Sequence, residues 1–192
     1  MADRTGHVRR LTQAIERGGD PEAVRGLRWE RAFWTGHVGE VLDLLGDAHP
    51  DSVRIEPTGE VPLHYAIGIA PPEVLQVLID RGADVNYEAD DGFPALVNAI
   101  THKDEPARRL GVVRLLLEAG ADIHRRGHNG WTPLHVAALT GDAALVHTLL
   151  DAGADPEATT IIDDDLTAEQ EADRLGAHAG AEAIRRWRAE HR

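Results

Sequence analysis

Histidines and carboxylates are the residues of this sequence best suited to chemistry. The chain carries 11 histidines and 33 aspartates and glutamates, which are side chains that bind metals and move protons. Asp122, His124 and His128 form the closest candidate for a metal site. Two histidines four residues apart align as ligands only on a helix, whereas these two lie in a short extended segment. We therefore expect no metal here.

The other reactive residue types are scarce or lack a motif. The run Asp163–Asp165 has neither the glycine nor the distal glutamate of a calcium-binding loop, so we interpret it as a solvated charge run. The chain has no cysteine and one serine, Ser52. It contains no phosphate-binding loop, dinucleotide fingerprint or nucleophile elbow. The sequence therefore predicts no catalytic residue, no metal and no cofactor.

Net charge narrows the range of partners. A formal charge of −13 at pH 7 opposes binding to nucleic acid and to anionic membranes, and it favours a protein partner with a basic surface. No apolar stretch approaches the roughly 18 residues of a membrane-spanning helix, and residues 1–7 lack the apolar core of a secretion signal. We expect a monomeric, cytoplasmic protein. Lys103 is the single lysine, and this composition is typical of a GC-rich bacterial gene.

An internal repeat organises the chain. The triplet Gly-Ala-Asp begins at Gly82, Gly120 and Gly153, at spacings of 38 and 33 residues. The motif Pro-Leu-His-x-Ala begins at Pro62 and again at Pro133. A period of this length predicts stacked structural repeats. The same register of small residues runs through Ala32, Ala66, Ala99, Ala137 and Ala172.

The best copy of the repeat runs over Gly130–Asp142 and continues over Leu149–Asp155. These residues resemble the ankyrin-repeat family, and the resemblance extends over about Trp29–Trp187. It implies an all-α repeat solenoid in which helix–turn–helix repeats are joined by short β-hairpin fingers. About four to five repeats plus terminal caps fit the chain. We interpret it as a small, stand-alone bacterial ankyrin-repeat protein.

The local chemistry of the repeat agrees with two helices per block. Thr132 and Pro133 suit the cap and first turn of a helix, since proline has no N–H to leave unpaired there. The glycine of each Gly-Ala-Asp triplet follows a second helix, where glycine takes a left-handed conformation with least strain. Apolar side chains recur at helical spacing in the second helices predicted over 74–79, 112–117 and 145–150.

We divide the chain as a single ankyrin-repeat domain, 1–192. Its predicted segments are an N-terminal capping helix (1–19), a first repeat (20–57), a second repeat (58–90), a third repeat with an inter-helix insertion (91–128), a fourth repeat (129–161) and a C-terminal capping repeat (162–192). Within these segments the patterns predict helices over Arg4–Arg17, Pro21–Thr35, Gly39–Leu45 and Ala181–Ala189. Asp20 is placed to cap the second of these helices, and Thr167 is placed to form a capping box with Gln170.

The block that begins at Gly92 departs from the pattern. Pro94 takes the threonine place, and Val97 replaces the histidine of the other blocks. Five extra residues lie within Thr101–Arg109, and we expect them to lengthen the connection between the two helices of that repeat. Such an insertion is either neutral or an element of specificity, and the sequence leaves both interpretations open.

The resemblance implies that a partner binds the finger tips and the exposed face of the inner helices. Phe93 and Trp131 lie one repeat apart and are expected side by side as aromatic contacts, or else each covers a neighbouring finger. Trp34 has the same two interpretations. The implied partner-binding positions are Trp34, Thr35, Glu60, Ile69, Asp90, Asp91, Phe93, Thr101, His102, His128, Asn129, Trp131, Leu139 and Thr140.

Two functions follow from the resemblance and the charge. His64 and His135 match the family histidine, which implies that they brace fingers by hydrogen bonds and do not catalyse. The first hypothesis is a non-catalytic module that binds a partner protein with a basic surface, and an inhibitor or immunity-type protein is one case of it. The alternative is an enzyme or small-molecule-binding protein with a groove site near 101–109, where His102 and nearby carboxylates would act.

Overall fold

Short helices follow one another along the described chain. The computed structural model describes residues 3–88, 93–102, 105–127, 130–161 and 165–191. In those ranges the regular structure is helical, apart from two isolated antiparallel bridges in the connecting fingers, Ile55 with Glu60 and Thr159 with Thr167. The chain divides into two units, 1–89 and 90–192, which are taken in turn.

The described residues of the first unit form five α-helices. They are α1 (Arg4–Arg17), α2 (Pro21–Thr35), α3 (Val38–Leu45), α4 (Pro62–Ile69) and α5 (Pro72–Asp80). Asp20 caps α2 by accepting from the Ala23 amide at 3.1 Å, as its position predicted. Trp29 and Phe33 of α2 pack with their ring centroids 5.3 Å apart, and both are fully buried with Leu63 and Leu75 from the following repeat.

The second unit holds six described α-helices. They are α6 (Ala95–Thr101), α7 (Pro106–Glu118), α8 (Pro133–Thr140), α9 (Ala143–Asp151), α10 (Ala168–Arg174) and α11 (His178–Glu190). Capping boxes begin two of them, Thr132 with His135 at α8 and Thr167 with Gln170 at α10. The buried side chains of Leu96, Leu116 and Leu145 contribute to a core between the inner and outer helices.

Most predicted helix boundaries are confirmed. The predicted limits of α1 and α2 coincide with those observed, and the glycines of the three Gly-Ala-Asp triplets have φ values of 94°, 89° and 99°. Two starts are earlier than predicted, because α3 begins at Val38 and α11 at His178. Gly180 lies inside α11, where a Cβ would approach the Ala138 carbonyl oxygen to 1.8 Å. This glycine therefore permits close helix packing and does not mark a helix end.

The insertion in the third repeat is mostly helix. The prediction that it lengthens the connection is only partly right, because residues 102–105 alone separate α6 from α7. α7 has 13 residues, whereas the outer helices α5 and α9 have nine each. Pro106 occupies the first turn, where proline favours helix initiation. The inserted residues consequently extend α7 by about one turn at its start.

Candidate interaction surface

A buried histidine holds one finger of the second unit in place. His135 is 1% exposed; its Nδ1 lies 2.8 Å from the Thr132 hydroxyl, and its Nε2 lies 3.1 Å from the Leu166 carbonyl oxygen. Burial is the main cause that lowers the pKa of His135, since a low-dielectric site disfavours the charged ring. The bracing role expected of His135 is confirmed. His64, its counterpart, is also buried and lies edge-on to Tyr87, with ring centroids 6.2 Å apart.

Arg126 ties two neighbouring fingers together. Its guanidinium donates to the carbonyl oxygens of Gly130 and Thr159, the latter at 2.6 Å. Ile161 follows on the second of these fingers, and a Cβ on Gly130 would lie 3.0 Å from Ile161 Cβ. The isoleucine therefore lies directly over this glycine, yet 69% of it remains exposed.

Phe93 and Trp131 meet the same finger residue. A Cβ on Gly127 would lie 3.8 Å from Phe93 Cδ1, which places the ring over this glycine. The Gly127 amide donates to the Trp131 carbonyl oxygen at 3.0 Å. Phe93 is 37% exposed, whereas Trp131 is half-buried and its Nε1 has no acceptor among the described residues. Phe93 thus presents apolar surface, while Trp131 combines packing with partial exposure.

Three predicted threonines bond back to their own helices. The hydroxyl of Thr35 donates to the Arg31 carbonyl oxygen at 2.8 Å, that of Thr101 to Asn98 at 3.0 Å, and that of Thr140 to Ala137 at 2.7 Å. Each lies at the exposed end of an inner helix. Local bonding of this kind satisfies the last carbonyls of a helix. Leu139 and His102 beside them are half-buried.

In the first unit, the N-terminal helix covers Trp34. The ring centroids of His7 and Trp34 are 5.1 Å apart, and Arg4 Cζ lies 5.8 Å from the centroid of the indole. Arg4 Nε also donates to the Trp34 carbonyl oxygen at 2.8 Å. The half-buried Trp34 therefore packs against α1 as part of the fold.

The remaining positions of the first unit are Glu60 and Ile69, both half-buried. Burial, followed by the charges of Glu30 and Glu60, raises the pKa of Tyr65 to about 12. Two carboxylates thus act electrostatically on one phenol. This part of the unit is acidic, whereas fingers of the second unit present the exposed apolar side chains of Phe93 and Ile161.

Four predicted contact residues lie outside the described ranges, namely Asp90, Asp91, His128 and Asn129. In the described ranges no group of three histidines or carboxylates is placed to hold a metal ion. Nor does any described helix combine the length and apolar character needed to span a membrane.

Two exposed apolar residues were missed in the sequence. Leu175 is 50% exposed and lies 35 residues after Thr140, which is the same step that separates Ala137 from Ala172. Extending the alanine register would have found it. Ile161 gave no comparable signal, because its finger departs from the repeat.

The geometry matches a known family of repeat proteins. The family model described as "Ankyrin repeats (3 copies)" matches residues 11–127, and the model described as "Ankyrin repeats (many copies)" matches residues 105–150. The chain belongs to the ankyrin-repeat family. Ankyrin repeats generally mediate protein–protein interaction, and the family is typically non-catalytic.

Curated relatives share this region in larger proteins. The chain is 30% identical over 144 residues to "Ankyrin repeat, SAM and basic leucine zipper domain-containing protein 1" of Callithrix jacchus, covering 73% of this chain and 29% of that protein. It is 33% identical over 116 residues to "Neurogenic locus Notch protein" of Drosophila melanogaster, covering 60% and 4%. It is 35% identical over 118 residues to "Putative ankyrin repeat-containing protein" of Treponema pallidum, covering 61% and 38%. The chain thus spans well under half the length of each of these relatives.

Proposed function

We propose that the chain is a non-catalytic binding module whose fingers and inner-helix ends engage a partner protein. One observation carries this proposal. The large apolar side chains exposed in the described ranges are Phe93, Ile161 and Leu175, and each lies on a finger or at the end of an inner helix. Exposed apolar side chains gathered at such positions mark interaction sites.

The charge of the chain supports a basic partner. A net charge of −13 accelerates encounter with a positively charged surface and disfavours acidic competitors. Asp90 and Asp91, beside Phe93 in the sequence, would add to this preference. A small acidic protein that inhibits a basic enzyme, as immunity-type proteins do, is one case that this surface would serve. We propose that the module acts in the cytoplasm as a monomer and binds neither nucleic acid nor membranes.

The alternative is an enzyme or small-molecule site near 101–109, and the described end of this insertion has a structural contact. Arg109, its last residue, is 2.8 Å from the Asp142 carboxylate, and both side chains are largely buried. The described end of the insertion therefore joins two repeats.

Quantitative affinity capture from the native host tests the proposal. We expect one partner at a stoichiometric amount and binding that is at least about tenfold weaker with Trp131→Ala or Ile161→Ala, since central aromatic and apolar contacts dominate interfaces. Trp187→Ala is the matched control, because Trp187 is another half-buried tryptophan of the same unit but lies on α11, with Nε1 2.7 Å from Asp151. Unaltered binding of both test variants would disprove the assigned surface.

A further inference from the structure

α2 is longer than the other inner helices of the chain. It has 15 residues, whereas α4, α6, α8 and α10 have eight, seven, eight and seven. Because Ala32 and Ala66 share a register position, Arg28 is the counterpart of Pro62, the first residue of α4. Residues 21–27 are therefore about two added turns, and they occupy the place where the other repeats carry a finger.

The added turns form one wall of a groove. A Cβ on Gly26 would lie 2.1 Å from the Glu56 carbonyl oxygen, so the finger of the next repeat passes directly over this glycine. Beside the contact is a groove of about 390 Å³, and its lining includes the apolar side chains of Leu27 and Pro57. The groove exists because α2 is extended and because residue 26 has no side chain.

Carboxylates dominate the lining of this groove. They are Asp20, Glu22, Glu30 and Glu56, and its lining contains no lysine or arginine. Asp20 caps α2, and Glu30 Oε1 lies 2.8 Å from His7 Nε2. Glu22 and Glu56 are exposed and form no ion pair within the described residues. Helix-dipole stabilisation accounts for an acid at Glu22, but Glu56 is not on a helix and has no such stabilisation.

A buried donor without an acceptor adjoins the acidic groove. A cavity of about 220 Å³ shares Glu22, Gly26 and Glu56 with the groove and is also lined by Trp29, Arg25 and Arg54; the guanidinium groups of the two arginines donate to main-chain carbonyl oxygens. Trp29 is 1% exposed, and its indole Nε1 has no hydrogen-bond acceptor among the described residues. Burying a donor without an acceptor is unfavourable, and this site therefore favours a ligand that brings one.

We propose that this groove binds an extended basic segment of a partner protein. An arginine or lysine head group lies among Glu22, Glu30 and Glu56, and its methylene stem packs on Leu27 and Pro57. A main-chain carbonyl of the same segment accepts from Trp29 Nε1. A metal ion would satisfy the carboxylates but offers no acceptor, and the groove is far larger than an ion. The inference rests on the proposed function, since it names the part of the partner that the first unit recognises.

The test is a titration of the full chain with a blocked tetra-arginine peptide at about 0.15 M salt. Binding is monitored by calorimetry and by the indole N–H resonances in NMR spectra. We expect saturable binding with a shift of the Trp29 resonance, which is assigned with Trp29→Phe. The double variant Glu22→Gln/Glu56→Gln should bind at least about tenfold more weakly. Both substitutions are on exposed residues, and circular dichroism verifies that the variant is folded.

A charge-matched double variant separates the groove from general acidity. Glu16→Gln/Glu73→Gln removes two exposed carboxylates of the same unit outside the groove, and its affinity should stay within about twofold of the unmodified chain. Equal weakening in the two double variants, no binding of tetra-arginine, or preferential binding of tetra-glutamate would each overturn the proposal. Trp131→Ala should bind the peptide normally, so failure of the finger surface and failure of this groove give different results.

Discussion

Each of the two units contains a helix that is longer than its counterpart in the following repeat, α2 in the first unit and α7 in the second, and the two extensions have different consequences. In the first unit the inner helix α2 gains about two turns, which lie under a finger and create an acidic groove. In the second unit the outer helix α7 gains about one turn, which ends in an ion pair to the next repeat. An extension on an inner helix borders the finger side of a repeat and adds binding surface, whereas one on an outer helix adds contacts between repeats.

The largest expected effect comes from filling the space over Gly26. Gly26→Ala should lower the free energy of unfolding by about 1–3 kcal/mol, because the added Cβ overlaps the Glu56 carbonyl and the backbone must move. Gly111→Ala is the control in the other extended helix, since nothing lies within 4 Å of its Cβ position. The free energy of unfolding of that variant should rise by about 0.5–1 kcal/mol, because alanine has a higher helix propensity than glycine. Urea unfolding measures both effects.

The Gly26 variant also tests the origin of the groove. Hydrogen exchange of residues 53–60 should accelerate in Gly26→Ala and remain unchanged in Gly111→Ala, because Gly26 lies against that finger and Gly111 does not. If Gly26→Ala were as stable as Gly111→Ala, the close approach of α2 to the finger would be wrong. The distinction between the two extensions would then disappear.

The extended turn of α7 gives the second effect. Arg109 and Asp142 lie 2.8 Å apart with side chains 14% and 18% exposed, so solvent screens them less than a surface pair. A double-mutant cycle with Arg109→Met and Asp142→Asn should give a coupling energy of about 1–2 kcal/mol. Asparagine retains a side-chain oxygen for the cap that Asp142 provides to α9, which isolates the ion pair from the cap.

A more exposed ion pair provides the comparison for this cycle. Arg186 and Glu182 of α11 lie 3.1 Å apart one helical turn from each other, and both are largely exposed. Their coupling should be much smaller, because water and salt screen it. Equal coupling in the two cycles would mean that the added turn of α7 does not fasten the neighbouring repeat.

Features encoded by neighbouring residues could be predicted from the sequence. The limits of α2 follow from Asp20, Pro21 and an apolar period, all of which act within a turn or two of where they stand. The structure of the insertion was harder to predict, since the number of extra residues does not reveal whether they form a loop or a helical turn. Pro106 was the available signal for a helix start, but proline is also common in loops.

The surface depended on contacts between residues far apart in the chain. The sequence around Trp34 does not indicate that Arg4 and His7, about thirty residues away, cover its side chain. The acidic groove was missed for the same reason, because Glu56 meets α2 only after the finger folds onto Gly26. Leu175 differs from both, since the repeat period alone is sufficient to place it beside the inner-helix positions.

The smallest expected effect concerns the position that braces a finger. This register position carries His135 in α8 of the second unit. In the first unit it carries His64 in α4 and Glu30 in α2, where the carboxylate contacts His7. Burial lowers the pKa of His135 in the folded chain, Arg126 acts in the same direction, and the Leu166 carbonyl and Glu171 oppose both. The unfolded chain therefore binds more protons as the pH falls below about 6.5, the ordinary value for histidine. His135 therefore leaves the free energy of unfolding unchanged above that pH and lowers it as the pH falls further.

The variant His135→Gln tests the predicted direction of this pH dependence. Glutamine already fills the same place in the capping box of α10, so the variant keeps the cap and removes the titration. Between pH 7 and 5 the unmodified chain should lose stability with a contribution from His135 of at most about 1.4 kcal/mol per pH unit, and His135→Gln should lose less. Urea midpoints across this range measure the difference. Glu171 does not interfere, since its hydrogen bond from Arg174 lowers its pKa and moves its own contribution to more acidic conditions. An identical pH slope in the variant would show that His135 does not contribute to the loss of stability on acidification.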